Sequence, residues 1–354
     1  MLILCNIRQN RRNGASGMVT IYDIAKKANV SAMTVSKVIN NAGRISEKTR
    51  AKVRLVMEEL NYVPNQMARG LVLQQTNILF LLITDITNSF YTTLARGAED
   101  AAKKLGYRLL FGNSDENLVK EGEYVDMILG TRVDGVLFSP AGDRSLSNLE
   151  NLRMHKVPFV LLDREVPGIE CDVVLGDSKE GARQLVEHMI AYNHQLIALV
   201  NGSLEVSSAR LRQMGYLEAH KLNDLPVRED YMLELSYEAH SDLSTIETWF
   251  KQLSPSPTSI MAGNNVLAVE VIRAIQNCGL RVPEDVSVAC FDDLGAISEI
   301  TPFLTVVAQQ AYQFGFMGVQ LLIERIQERE NIKPWKKIIL PVELKVRKSV
   351  KLKE

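Results

Sequence analysis

Ile21, Ile24, Ala25 and Ala28 fall at i, i+3, i+4 and i+7, the repeat of one apolar face of a short helix. Asn29 and Val30 make a corner. Ser31 is placed to cap a second helix, whose Val35, Val38 and Ile39 turn inward. Ala32, Met33, Thr34, Ser36 and Lys37 are left facing out, and few of them are large, which suits a helix that enters a major groove. A third helix begins at Ser46, with Val53, Val56, Met57 and Leu60 as its core stripe and Lys48, Arg50, Lys52 and Arg54 solvated. Periodicity alone fits a generic three-helix bundle with a charged face equally well.

From Asn77 the pattern changes to apolar runs alternating with amphipathic stretches. Strands are predicted at Ile78 to Ile83, Arg108 to Phe111, Gly135 to Phe138, Phe159 to Leu162, Leu196 to Val200, Ser259 to Ala262 and Val286 to Phe291. Helices are predicted at Phe90 to Leu105, Lys120 to Thr131, Ser145 to His155, Lys179 to Ala191, Arg210 to Lys221, Ser241 to Leu253, Asn265 to Cys278 and Gln310 to Gln327. Continuous apolar strands separated by helices imply parallel sheets covered on both faces. With about ten strands, two sheets are favoured over one, and such folds bind ligands beyond the carboxyl ends of their strands.

Those ends carry Thr84-Asp85 through Asn88-Ser89-Phe90-Tyr91, then Ser139 to Asp143, then Asp163-Arg164. In the second half they carry Asn201-Gly202 leading to Ser207 to Arg212, then Gly263-Asn264-Asn265 and Phe291-Asp292-Asp293. The set holds carboxylates, amides, arginines and aromatic faces but no nucleophile-base pair, so it suits hydrogen bonding to a polyol rather than catalysis. Asn264 and Asp292 are equally well read as helix caps.

Charge separates the two regions. Met18 to Gln75 holds nine Lys/Arg against four Asp/Glu, whereas Thr76 onward holds 29 against 38, so a basic head precedes an acidic body. No apolar run approaches the roughly 20 residues of a membrane helix, and the first residues lack a signal-peptide pattern, so a cytoplasmic protein is expected. Four scattered cysteines and five histidines show no metal-binding or redox spacing, and neither metal nor cofactor is expected.

The run TIYDIAKKANVSAMTVSKVINN, followed by ISEKTRAKVRLVMEELNYVPNQMARGL, resembles the head of the LacI/GalR family of bacterial repressors. The resemblance extends to about Val350, through ALVNGSLEVSSARLRQMGY, GLRVPEDVSVACFDD and LPVEL. It implies an α/β fold: a helix-turn-helix domain at 18–63, a hinge helix and linker at 64–75, and a two-lobed periplasmic-binding-protein-like domain at 76–350. Lobe 1 would comprise 76–162 and 309–340, and lobe 2 163–308 and 341–350, with crossings near Leu162, Gln309 and Pro341.

By the same resemblance Ala32, Met33 and Lys37 read bases, where the family more often has Arg at the position of Lys37. Thr34, Ser36 and Asn40 lie near phosphates, and Thr20, Tyr22 and Ser31 complete the DNA face. In the hinge Pro64 ends the preceding helix, Asn65 caps the next, and Gly70 weakens it by about 1 kcal/mol, so the segment should fold only on DNA. There Asn65, Ala68 and Arg69 would meet the minor groove while Leu71 wedges between base pairs. The implied effector residues are Phe90, Tyr91, Asp143, Arg212, Tyr237, Asn264 and Asp292. Asn264-Asn265 replaces the usual Asn-Asp, and Asn88-Ser89-Phe90-Tyr91 replaces NPFF.

The expected protein is therefore a nucleoid-associated repressor of a carbohydrate-utilisation operon. It would act as a homodimer on a near-palindromic operator, controlled by a sugar or sugar acid. Residues 1–17, without periodicity, are expected to be a disordered arm or the product of a misassigned start. A transport receptor would explain the body without the basic head. An enzyme would need a catalytic pair or phosphate loop, and none is visible.

Overall fold

The computed structural model describes residues 19–62, 75–237, 243–327 and 334–354. The chain divides between Thr76 and Asn77 into two units. The first holds α1 (Ile21–Ala28), α2 (Ala32–Ile39) and α3 (Glu47–Glu59). Ile24, Ala25 and Ala28 of α1 bury against Val35 and Val38 of α2 and Val53 and Val56 of α3, the stripes that the periodicity picked out. Asn29 closes α1 at φ 47, a left-handed conformation that Asn tolerates. The hydroxyls of Ser31 and Ser46 cap the next two helices, accepting from the backbone N–H groups of Thr34 at 3.1 Å and Thr49 at 3.3 Å. These short connections make a helix-turn-helix.

The second unit is built on two six-stranded sheets. The first contains β1 (Ile78–Ile83), β2 (Arg108–Asn113), β3 (Gly135–Phe138), β4 (Phe159–Leu162), β5 (Asp172–Gly176) and β11 (Lys337–Leu340). Their order is β11-β5-β4-β3-β1-β2, and all pairings are parallel. The second contains β6 (Ile197–Gly202), β7 (Met232–Leu235), β8 (Ser259–Ala262), β9 (Ser287–Phe291), β10 (Thr305–Ala308) and β12 (Glu343–Lys345), in the order β12-β10-β9-β8-β6-β7. Only β12 runs antiparallel. In both sheets the first strand is flanked by the second on one side and the third on the other. This reversal of strand order opens a crevice at the carboxyl ends.

Helices cover both faces, which is why the central strands are buried along their length. On the first sheet α4 (Ser89–Lys104) and α12 (Ala311–Gln327) cover one face. The helices α5 (Leu118–Thr131) and α6 (Leu146–Met154) cover the other. On the second sheet α7 (Ser178–Ala191) and α8 (Ser207–Leu222) pack on one face, and α9 (Leu243–Gln252) and α10 (Asn265–Asn277) on the other. A short helix, α11 (Ala296–Ile300), follows β9.

The structure places the first crossing between the sheets after Gly176, and not near Leu162. Residues 163–176 stay with the first lobe because β5 pairs with β4, Val160 opposite Asp172. The loop through Pro167 and Gly168 masked this strand as connecting chain. The other two crossings run from Ala308 to Ala311 and from Leu340 to Glu343. All three touch: Asp177 N–H donates to the Leu340 carbonyl at 3.1 Å, and Gln310 Nε2 to the Pro341 carbonyl at 3.3 Å. A Cβ on Gly176 would lie 1.9 Å from Gln309 Oε1, so a larger residue there would displace the Gln309 side chain from its place between the two segments.

The contact of α4 with α12 depends on two reciprocal glycines. A Cβ on Gly97 would lie 2.0 Å from the Tyr312 carbonyl oxygen, and one on Gly315 2.0 Å from that of Leu94. Gly315→Ala must push these helices apart and should cost about 1–3 kcal/mol. Urea denaturation checks this, and an unchanged midpoint would show that the interface is looser than the backbone approach implies.

Candidate functional site

The first unit presents a polar face on α2. Met33 is 69% exposed, and Lys37, one turn on, is exposed beside it, while Ala32, Thr34 and Ser36 are half-buried. Tyr22 of α1 is 71% exposed. The residues around them are held by local bonds. Thr20 donates its N–H and hydroxyl to Asp23 at 2.9 and 2.7 Å, and Ser31 caps α2 as described. Asn40 Nδ2 donates to Ser36 Oγ at 3.4 Å, and its buried Oδ1 has no partner. Lys48 and Lys52 stay in solvent, whereas Arg50 donates to Asn41 Oδ1 at 2.8 Å. Asn65, Ala68, Arg69 and Leu71 lie outside the described residues.

In the second unit, the strand ends of both sheets line one cavity of about 340 Å³. From the first lobe come Thr84 and Asp85 after β1, Asn88, Phe90 and Tyr91 at the start of α4, Asp115 and Glu116 after β2, and Asp163 and Arg164 after β4. From the second come Arg212 on α8, Tyr237 after β7, Asn264 and Glu270 about α10, and Asp292 after β9.

Arg164 is 4% exposed. Its Nη1 and Nη2 donate to the two carboxylate oxygens of Glu116 at 2.6 and 2.7 Å, and Nη1 also reaches the Pro140 carbonyl at 3.0 Å. Asp163 lies 3.4 Å from Nε and accepts from the Tyr91 hydroxyl at 3.2 Å. Burial holds Tyr91 as the neutral phenol by raising its pKa far above the usual value.

In the opposite wall Arg212 is also 4% exposed. Its Nη1 donates to the Gly263 carbonyl at 2.6 Å, and its guanidinium lies 4.2 Å over the Phe291 ring. Nη2 stands 3.8 Å from Asp292 Oδ2, and Nε is buried without a partner. Asp292 accepts from Gln309 Nε2 at 3.0 Å. Burial pushes its carboxyl up to about 6, a shift that Arg212 only partly opposes. The Tyr237 hydroxyl is likewise buried and unpartnered. Asn264 Oδ1 caps α10 by accepting from Leu267 N–H at 2.8 Å, so the capping reading of this residue holds alongside its place in the cavity wall.

Six of the seven expected effector residues therefore stand together. Asp143 does not. Its carboxylate pairs with Arg210 of α8 at 2.7 and 3.1 Å, bridging the lobes outside the cavity, because a strand-end Asp follows the nearest guanidinium. Asn265, where the family usually has Asp, also bridges, donating to Asn88 Oδ1 at 3.1 Å and to the Asp293 carbonyl at 3.1 Å. The sequence reading missed Glu116. It took strand-end residues after β1, β3 and β4 and passed over Asn113 to Glu116 after β2, where the same rule would have found it.

Among the described residues no cluster of His, Cys, Asp and Glu is arranged to hold a metal ion, and no helix is long and apolar enough to cross a membrane.

Residues 20–65 match the model of the bacterial regulatory proteins of the lacI family, and residues 186–350 that of a periplasmic binding protein-like domain. The HTH-type transcriptional regulator DegA of Bacillus subtilis (strain 168) is 34% identical over 332 residues, covering 93% of this chain and 97% of its own length. A solved lac repressor dimer, bound to operator and the anti-inducer ONPF, superposes with a TM-score of 0.79 at 29% identity, covering 95% of this chain and 100% of that one. A complex of the transcriptional regulator CelR with cellobiose superposes with a TM-score of 0.69 at 26% identity, covering 94% and 99%.

Asp292 gives the cavity a pH signature. A carboxyl whose folded pKa is raised contributes stability that is fully present below its unfolded pKa of about 3.9 and is lost as pH rises through about 6. Asp292→Asn should therefore gain stability relative to the unsubstituted protein as pH rises between about 4 and 6. Urea midpoints of the two proteins across that range check it, and a constant difference would mean that Asp292 titrates as an ordinary surface carboxylate.

Proposed function

Because the chain belongs to the LacI family of bacterial regulatory proteins, we propose that it is a homodimeric repressor of a carbohydrate-utilisation operon, released or engaged by a sugar or sugar acid bound between its lobes. Family membership makes it a DNA-binding transcriptional regulator with an effector-binding domain. The observation that carries the finer reading is the cavity that the strand ends of both sheets line together. Its buried walls offer open hydrogen-bonding atoms and aromatic surface, but no nucleophile beside a base.

In this reading Ala32, Met33 and Lys37 of α2 meet base edges of a near-palindromic operator, with Thr20, Tyr22, Ser31, Thr34, Ser36 and Asn40 against the DNA backbone. Asn65, Ala68, Arg69 and Leu71 form the hinge segment in the minor groove. Phe90, Tyr91, Arg212, Tyr237, Asn264 and Asp292 hold the effector. Support comes from the lac repressor dimer solved on operator and from the cellobiose complex of CelR, both alike in fold over nearly the whole chain. The protein works in the cytoplasm at the nucleoid. Effector in the cavity changes the angle between lobes that are joined covalently by three short crossings, and so shifts the population between DNA-competent and DNA-incompetent dimers.

Gel shift with DNA from upstream of its own operon tests the DNA half. Dimeric, sequence-specific binding that weakens steeply with salt is expected, and sequence-blind or salt-independent binding contradicts it. Arg212→Ala should abolish the effector's influence on operator binding while operator binding itself persists, read in the same assay with and without sugar. Loss of both would make Arg212 a structural residue of the second lobe.

A further inference from the structure

Charge in the cavity separates the two effector classes left open above. The lining carries six carboxylates against two guanidiniums. Arg164 is already spent. Its two terminal nitrogens face the two oxygens of Glu116 in the bidentate geometry that would otherwise grip an anionic ligand, and its Nε, buried without a hydrogen-bond partner, lies 3.4 Å from the Asp163 carboxylate. Glu116 and Arg164 side chains are 7% and 5% exposed, so the pair is dry and not easily exchanged for a competing anion.

Arg212 is the other cation. Its Nη1 donates to the Gly263 carbonyl, its Nη2 stands 3.8 Å from Asp292 Oδ2 as an ion pair rather than a hydrogen bond, and its Nε is buried without a partner. A guanidinium N–H next to a carboxylate matches a hydroxyl, which accepts from the first and donates to the second. A carboxylate or phosphate has nothing to donate to Asp292 or Asp163 and would be repelled by both. Phe90 and Tyr91 in the lining offer ring surface for the apolar face of a sugar.

We propose that the Glu116–Arg164 pair acts as a charge filter, making the cavity a receptor for uncharged sugars and excluding sugar acids and sugar phosphates. Glu116 is the specificity-determining residue: it neutralises Arg164, while Asp292 stands beside the second guanidinium of the lining. This rests on the reading of the cavity as the effector site.

The test is calorimetric binding of matched probes to the full-length protein. Glucose is compared with glucuronate and glucose 6-phosphate, galactose with galacturonate, ribose with ribose 5-phosphate, and cellobiose and a purine base are added. The neutral member of whichever pair binds should bind at least about tenfold more tightly than its acid or phosphate. Glu116→Gln should narrow that ratio about tenfold by freeing Arg164, with a thermal melt reporting whether the variant is folded. The comparison on the unsubstituted protein stands even where the variant does not fold. An acid or phosphate that binds as tightly as its neutral counterpart overturns the filter and leaves sugar sensing intact, as does a folded Glu116→Gln with an unchanged ratio. Binding of the purine alone, or of no probe, overturns sugar sensing and the filter with it.

Discussion

A guanidinium removed from water is stable only if its charge is matched where it lies, and the cavity of this protein is arranged around two such groups. Arg164 follows β4 and its partner Glu116 follows β2, on opposite sides of β1 and β3 in the first sheet. The pair therefore exists only because the sheet is in register. Removing Glu116 alone would leave a dry cation with only Asp163 beside it, and breaking a buried pair in this way costs several kcal/mol in other proteins. From this pair the rest of the first-lobe wall follows: Asp163 leans on Arg164, Tyr91 donates to Asp163, and burial keeps Tyr91 a phenol. Arg212 and Asp292 make the looser counterpart in the second lobe, 3.8 Å apart, with Arg212 Nε buried and unpartnered.

The lobes meet differently from the way each is held together. Within a lobe, helices pack through glycine contacts such as Gly97 and Gly315, where backbone touches backbone. Between lobes the contacts are polar and few: Arg210 with Asp143, Asn265 with Asn88, Ser89 Oγ with the Asp293 carbonyl at 2.9 Å, and Glu165 N–H with Ser207 Oγ at 2.9 Å. Polar contacts at a cleft exchange with water at little net cost, so the angle between lobes can respond to a ligand. The three crossings, tied to one another at Asp177, Gln310 and Leu340, confine that response to a hinge.

Much of this was legible in the sequence, for definite reasons. The stripes of α1 to α3 and the apolar runs of β1 and β4 carry patterns that admit few alternatives, and the chain beyond β6 and β9 carried Arg212 and Asp292. The strand β5 was hidden by the turn before it, which moved the predicted crossing from Gly176 to Leu162. The edge strands β11 and β12 are short and partly exposed, so their apolar residues make no run long enough to mark a strand. Asp143 shows the limit of position alone: its place at a strand end is right for a ligand group, and only Arg210, 67 residues further along the chain, turns it into a bridge. The Glu116–Arg164 pair joins residues 48 apart, and nothing local to either announces it.

The central claim is that one molecule couples a DNA face on α2 to the cavity between its lobes. Coupling is reciprocal by thermodynamic necessity: the factor by which a sugar changes operator affinity must equal the factor by which operator changes sugar affinity. The direct measurement is titration of the protein with sugar, free and saturated with operator, alongside titration with operator, free and saturated with sugar. The account predicts two ratios that agree and differ from one by about 5-fold or more. Two ratios of one would show the cavity and the DNA face to be independent, and would contradict it.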